Sequence, residues 1–136
     1  MDENVNKANK KFSVLIVDDE KSNIFALTYM LEEEYTLYAS KDGRLAVKAA
    51  EARLPDVILL DVLMPEMDGY AVLNALKASE RTRRIPVIFV TGLEDGAETA
   101  RLSALGAVDC IKKPFRPAEV KQKIRQYINV SANPTK

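Results

Sequence analysis

Short apolar runs recur along the chain, and four of them end next to an acidic, hydroxyl or ammonium side chain. Asp18 and Asp19 follow the run 14–17, Asp61 follows 57–60, Thr91 follows 87–90, and Lys113 comes one residue after 108–111. In an open parallel sheet, ligands gather outside the carboxyl ends of the strands. If the runs are parallel strands, the sequence therefore predicts one site that contains all five side chains.

Strand and helix patterns alternate five times along the sequence, which favours an α/β fold with a parallel sheet. The predicted strands cover 12–17, 35–39, 56–60, 85–90 and 107–111, and the predicted helices cover 22–33, 42–53, 67–78, 95–105 and 116–128. The last helix has the clearest pattern, because Val120, Ile124 and Ile128 recur on one helical face.

The strands differ in how apolar they are, and the difference predicts their order. Three runs, at 14–17, 57–60 and 87–90, are uninterrupted, as expected for parallel strands that are covered on both faces. The second strand alternates and the fifth contains Asp109, so both are predicted edge strands. The result is a doubly wound (βα)5 flavodoxin-like sandwich with a five-stranded sheet in the order 2-1-3-4-5. That order brings Asp18, Asp19 and Asp61 together.

A chain of 136 residues with 47% apolar residues is sufficient for one domain with a single core. We expect the domain to span residues 12–128, between a polar N-terminal tail (1–11) and a polar C-terminal tail or start of a linker (129–136). No run reaches the roughly 20 apolar residues that cross a bilayer, and the N-terminus lacks the apolar centre of a secretory signal. We therefore expect a cytoplasmic protein without a membrane partner.

Charge and composition exclude several classes of function. Twenty Lys plus Arg balance 20 Asp plus Glu, which argues against direct nucleic-acid binding. The chain has no histidine, so histidine-based triads, histidine metal sites and a phosphohistidine on this chain are excluded. A single cysteine, Cys110, rules out an internal disulfide.

Three carboxylates at one spot repel one another by roughly 1 to 4 kcal/mol per pair when they are partly solvated. A hard divalent cation such as Mg2+, together with the Lys113 ammonium, balances their charge. If a phosphoryl group is then attached to Asp61, the site gains negative charge and attracts a hydrogen-bond donor such as Thr91. The alternative is that the run of Asp18, Asp19 and Glu20 is only an N-cap and first-turn acids at the start of a helix, an interpretation that suits Glu20 best.

Four motifs, in this order on a fivefold β/α pattern, resemble the response-regulator receiver domain over residues 11–128. They are VDDE at 17–20, LDVLMPEMDG at 60–69, VTG at 90–92 and KPF at 113–115. The resemblance implies a signalling domain that catalyses only its own phosphorylation and dephosphorylation. Its partner is a sensor histidine kinase or a histidine phosphotransfer protein, and its cofactor is Mg2+.

The resemblance also implies a role for each site residue. Asp61 is the phosphoacceptor. Asp19 is a direct metal ligand and Asp18 acts largely through water, while Asp61 and the backbone carbonyl of Leu63 also bind the metal. Lys113 pairs with a phosphoryl oxygen.

Further implications concern the switch. The Thr91 hydroxyl moves to a phosphoryl oxygen, and the Lys113–Pro114 peptide bond is cis. Gly69 is expected at positive φ. The face formed by the fourth helix, fifth strand and fifth helix is the expected surface for a homodimer or for an output domain.

The sequence departs from the family at a second switch position, three residues before the lysine, where Cys110 replaces the usual aromatic ring. A thiol cannot reproduce the displacement of a ring, so the usual threonine–aromatic coupling is altered. Leu63 and Leu93 lie two residues after Asp61 and Thr91. We hypothesise that these leucines hinder water and lengthen the phosphorylated lifetime.

The main alternative is a pseudo-receiver that acts as a phosphate-independent scaffold or interaction module. A nucleotide- or flavin-binding enzyme is disfavoured because Asp18, Asp19 and Glu20 replace a glycine-rich phosphate loop. A phosphatase with an aspartyl phosphate needs a second aspartate where Leu63 stands. Whether the chain acts alone or is a piece of a longer regulator stays open.

Overall fold

The computed structural model describes residues 11–92 and 96–132, where five strands alternate with five helices. In chain order these are β1 (Ser13–Val17), α1 (Lys21–Leu31), β2 (Thr36–Ser40), α2 (Gly43–Arg53), β3 (Val57–Asp61), α3 (Gly69–Ala78), β4 (Val87–Thr91), α4 (Gly96–Ala104), β5 (Asp109–Lys112) and α5 (Pro117–Ala132). The predicted α/β alternation is confirmed.

The strands form one parallel sheet in the order β2-β1-β3-β4-β5, which confirms the predicted topology and both edge strands. The central strands β3 and β4 are buried along their whole length, because helices cover both faces of the sheet. Val17 of β1 is paired with Leu60 of β3, and Leu60 is paired with Phe89 of β4. This register aligns the carboxyl ends of the three central strands.

Alternate residues of each strand enter two separate hydrophobic clusters, one on each face of the sheet. Leu15 of β1 packs on the face covered by α2, α3 and α4, represented by Ala46, Leu73 and Leu102. Ile16, the next residue, packs on the opposite face against α1 and α5. The second cluster therefore holds α1 and α5 on the same side of the sheet.

Gly69 differs from the expectation, because it does not adopt a positive φ. It is the first residue of α3, and its lack of a side chain serves close packing. A Cβ atom there would lie 2.4 Å from the carbonyl oxygen of Asp61, 2.8 Å from Cε1 of Phe89 and 2.9 Å from Cα of Val62. The positive φ in this loop belongs to Glu66, at 68°.

The two ends of the chain are described only in part. Helix α5 continues to Ala132, so residues 129–132, which we expected in the C-terminal tail, have helical backbone. The rest of the predicted tails, residues 1–10 and 133–136, lies outside the described residues. Among the helices of the described segments, none has the length and apolar character needed to cross a membrane.

Candidate functional site

Three carboxylates meet where β1 and β3 end side by side. Because Val17 is paired with Leu60, Asp18 and Asp61 follow as neighbours on adjacent strands, and Asp19 is the next residue of the loop. One carboxylate oxygen from each of the three aspartates lies within 4.8 Å of the other two. Asp18 and Asp61 are buried, whereas Asp19 is more accessible. The structure therefore brings the three predicted acidic side chains together at the carboxyl end of the sheet.

Lys113 reaches this cluster from the loop after β5. Its Nζ lies 3.4 Å from Oδ2 of Asp18 and 3.4 Å from Oδ1 of Asp61. The backbone N–H of Lys113 donates to the carbonyl of Thr91 at 2.7 Å, which fixes the loop to the end of β4, and the Lys113–Pro114 peptide bond is cis. Both charged contacts exceed the usual 2.7–2.9 Å of charge-assisted hydrogen bonds. The ammonium thus stands between two carboxylates without a short bond to either.

The balance of charge shifts two pKa values in the cluster. Burial and the neighbouring Asp18 carboxylate together raise the pKa of Asp61 to about 6, although Lys113 acts in the opposite direction. Burial lowers the pKa of Lys113, but the carboxylates of Asp61 and Asp18 outweigh that effect and the pKa is raised. Three carboxylates and one ammonium leave two negative charges uncompensated. The site therefore favours an added proton or cation.

The chemistry of these donors fits Mg2+. All three are carboxylate oxygens, which hard divalent cations prefer, and the accessibility of Asp19 leaves room for the water ligands that Mg2+ retains. Leu63, whose backbone carbonyl is the fourth predicted protein ligand, lies two residues beyond β3 with an exposed side chain. Its role as a ligand stays a prediction.

Sequence reasoning missed one contributor to the site, Asn23 in the first turn of α1. Its Nδ2 donates to Oδ2 of Asp18 at 3.1 Å and to Oε1 of Glu20 at 3.0 Å. The other oxygen of Asp18, Oδ1, accepts from the backbone N–H of Glu20 at 2.9 Å. Asn23 follows Asp18 by five positions. The sequence signal for this contact is that α1 starts just after the acidic pair, so that a residue in its first turn can reach Asp18.

The two predicted switch residues lie on neighbouring strands. Thr91 ends β4 and is buried, and the pairing of Asp61 with Val90 places it one position farther along the adjacent strand. Cys110 of β5 is paired with Phe89 and is partly buried. It borders a cavity of about 190 Å3, whose other lining residues are Leu102, Ser103, Ala107, Val108 and Asp109. The switch roles of both residues stay predictions.

Asp109 forms a charged cluster between β5 and α5. Its Oδ2 accepts hydrogen bonds from Nζ of Lys123 at 2.9 Å and from the hydroxyl of Tyr127 at 2.9 Å. Burial raises the pKa of Asp109, but hydrogen bonds from the Cys110 N–H, Lys123 and Tyr127 outweigh that effect and lower it. Asp109 and Lys123, two charged residues of the face expected to bind a partner, are thus paired with each other within the chain.

Most of the chain resembles known proteins, both in sequence and in structure. The family model that matches residues 14–125 is described as the response regulator receiver domain. Among solved structures, the receiver domain of a sensor histidine kinase from Pseudomonas aeruginosa, with a magnesium ion coordinated in its active-site cleft, is 30% identical with a TM-score of 0.81. The likeness covers 88% of this chain and 98% of that one.

The curated relatives are longer proteins. A probable cyclic di-GMP phosphodiesterase from Vibrio cholerae is 35% identical over 85% of this chain, which spans 26% of that protein. The alkaline phosphatase synthesis transcriptional regulatory protein PhoP from Bacillus subtilis is 36% identical over 90% of this chain, which spans 50% of that protein. The chain thus corresponds to about a quarter to a half of these relatives.

Proposed function

The chain belongs to the response regulator receiver domain family, and we propose that it accepts a phosphoryl group on Asp61 from the phosphohistidine of a sensor histidine kinase or a histidine phosphotransfer protein. In this reaction an oxygen of Asp61 forms a bond to phosphorus while the phosphorus–nitrogen bond breaks. The electron pair of the broken bond returns to the imidazole of the donor. The product is an acyl phosphate, which water later hydrolyses to reset the domain.

One observation carries this proposal: buried Asp61 stands within a cluster of carboxylates and has an ammonium 3.4 Å from its Oδ1. Phosphoryl transfer depends mainly on positioning and on charge neutralisation. Lys113 supplies a positive charge for a phosphoryl oxygen, and Thr91 supplies a hydroxyl donor from the adjacent strand. Held by Asp18, Asp19, Asp61 and the backbone carbonyl of Leu63, Mg2+ would supply the remaining positive charge.

The surface beside the site supports approach of a protein donor. Phe25 and Tyr29 project from α1 with 68% and 83% of their surface exposed. Next to them lies an open cavity of about 410 Å3, lined by Asn23, Ala26, Lys113, Pro114 and Phe115. Exposed aromatic side chains are typical anchors of protein interfaces. We infer that the donor docks on α1 with its phosphohistidine directed toward Lys113.

Phosphorylation then changes the surface of the domain. The Thr91 hydroxyl moves toward a phosphoryl oxygen, and the change reaches α4, β5 and α5, where we infer a homodimer or an output domain is controlled. The longer relatives support an output segment outside the matched region. The phosphate-independent scaffold is not favoured, because a scaffold does not need Lys113 beside Asp18 and Asp61.

Intact mass spectrometry after incubation with phosphoramidate and Mg2+ tests the function. The wild type should gain one phosphoryl group, and Asp61→Asn should gain none. Asp68→Asn is a matched control, because Asp68 caps α3 at the N–H of Ala71 and an asparagine caps equally well. A wild type that stays unmodified, or an Asp61→Asn variant that is still modified, would contradict the proposal.

A further inference from the structure

We infer that Asn23 is a positioning residue for this site: its side-chain amide fixes the Asp18 carboxylate and thereby sets the affinity for Mg2+. The inference rests on the proposed function and adds a residue outside the four motifs. Asn23 touches neither the phosphoryl group nor, in this proposal, the cation. It acts through Asp18.

The contacts of Asp18 show how Asn23 acts. Both oxygens of the Asp18 carboxylate are occupied: Oδ1 by the N–H of Glu20 at 2.9 Å, and Oδ2 by Nδ2 of Asn23 at 3.1 Å and by Nζ of Lys113 at 3.4 Å. Two of these three donors come from the segment between β1 and the first turn of α1. This arrangement defines the orientation of the carboxylate before any cation arrives, and preorganised ligands bind without a cost of ordering.

Asn23 also limits the pull of Asp18 on Lys113. A neutral amide on Oδ2 reduces the negative potential of that oxygen, so the ammonium stays equally distant from Asp18 and Asp61, at 3.4 Å each. Without the amide, the ammonium moves toward Asp18 and Asp61 loses part of its neutralisation. Removal of Asn23 should therefore affect both the cation and the acceptor.

A purely local role in the helix does not account for this arrangement. Asparagine is a weak helix former and is favoured where its side chain caps the backbone. Here Nδ2 donates to two carboxylates, those of Asp18 and Glu20, and the N-cap position of α1 is Glu20 without a side-chain cap bond. The amide is therefore used on acidic groups of the site.

Mg2+ titration followed by NMR, at a temperature where every variant is folded, tests the inference. Asn23→Ala should raise the Mg2+ dissociation constant about tenfold, as is typical when a partner of a metal ligand is removed. Alanine is the better helix former, so folding is retained. Asn74→Ala, at an exposed asparagine of α3, should leave the dissociation constant unchanged.

A double-mutant cycle separates action through Asp18 from a general effect. In an Asp18→Asn background, Asn23→Ala should change the Mg2+ dissociation constant by less than about twofold, because the carboxylate it positions is gone. An unchanged constant in the single variant, or an equal tenfold loss in both backgrounds, would overturn the inference and leave the proposed function intact. A wild type without measurable Mg2+ binding would overturn both.

Discussion

The two ends of the parallel sheet treat buried polar groups in opposite ways. At the amino end, the buried hydroxyl of Thr82 donates to the carbonyl of Leu76 at 2.7 Å. Asp56 accepts from the N–H of Ser13 at 2.8 Å in the same region. At the carboxyl end, the cluster around Asp61 keeps more negative charge than the nearby ammonium can balance.

The amino end of the sheet thus uses its polar groups to stabilise the domain, whereas the carboxyl end arranges its charges for the proposed reaction. Buried polar groups normally find partners within the chain, as those at the amino end do. At the carboxyl end one ammonium does not balance three carboxylates, so their repulsion persists until a proton or a cation is added. Removal of a buried polar or charged group should therefore change the free energy of unfolding with opposite sign at the two ends.

The largest effect is expected where α3 begins against β3, at the carboxyl end. Gly69→Ala would place a Cβ atom 2.4 Å from the carbonyl oxygen of Asp61. Neither neighbouring backbone can yield easily, so the free energy of unfolding should fall by about 3 kcal/mol. Gly92→Ala is the control, because among the described residues no atom beyond its chain neighbours lies within 4 Å of its Cβ position. Equal losses in urea unfolding of the two variants would show that the close approach is unimportant.

The second effect is a gain in stability. Without divalent cations at pH 7, Asp61→Asn should raise the free energy of unfolding by about 2 kcal/mol, because it removes a buried carboxylate beside Asp18. The folded pKa of about 6 lies above the ordinary 3.8, so the folded wild type binds the proton more tightly. Wild-type stability therefore falls as the pH rises from about 4 to 6.

The pH dependence provides the control for this gain. As the pH falls below about 4, the Asp61 carboxyl becomes protonated in the unfolded protein as well as in the folded one, so the advantage of Asp61→Asn should fade. Urea unfolding from pH 3.5 to 8 measures the difference directly. A gain that is independent of pH would mean that charge repulsion is not its cause.

The third effect has the opposite sign and belongs to the amino end. Thr82→Val keeps the shape of the side chain but removes the hydroxyl that donates to the Leu76 carbonyl. The free energy of unfolding should fall by about 1 kcal/mol. Thr36→Val, at an exposed threonine of β2, should change it by less than about 0.5 kcal/mol. A stabilised Thr82→Val variant would break the contrast between the ends.

The smallest effect concerns the lifetime of the phosphorylated state. Leu63 leaves 65% of its surface exposed, two residues after Asp61, where we expect an apolar side chain to hinder water. Leu63→Asn should accelerate loss of the phosphoryl group about threefold, or about 0.6 kcal/mol in barrier height. Intact mass over time measures the rate, with Leu105→Asn as an exposed control outside the site. Equal rates in wild type and Leu63→Asn would remove this role. Leu93, the other leucine in the hypothesis, lies outside the described residues.

Much of this architecture could be predicted from the sequence, because the runs ending at Val17, Leu60 and Val90 are apolar throughout and must be central strands. Their order then places Asp18 beside Asp61. The residue pattern indicates which strands are central, because a strand buried on both faces has no polar position within its apolar run.

Three details could not be predicted from the sequence, two of them because they depend on contacts between different elements. The closeness of Gly69 to β3 results from how α3 packs, whereas sequence suggested a backbone reason. Asn23 carries no motif, and its contact with Asp18 depends on the angle at which α1 leaves the loop. Helix α5 extends to Ala132, four residues beyond the helix predicted from the apolar pattern, because helical backbone can continue without apolar side chains to mark it.

The cluster of Asp109, Lys123 and Tyr127 has a consequence for recognition at the far edge of the sheet. A partner protein at this edge would contact an Asp109 carboxylate that already binds Lys123 and Tyr127. A new ion pair with Asp109 would therefore contribute little to the free energy of binding. Attachment at this edge would rely instead on nearby apolar side chains such as Leu105 and Val108, which are 41% and 39% exposed. Any complex formed there should consequently tolerate high ionic strength.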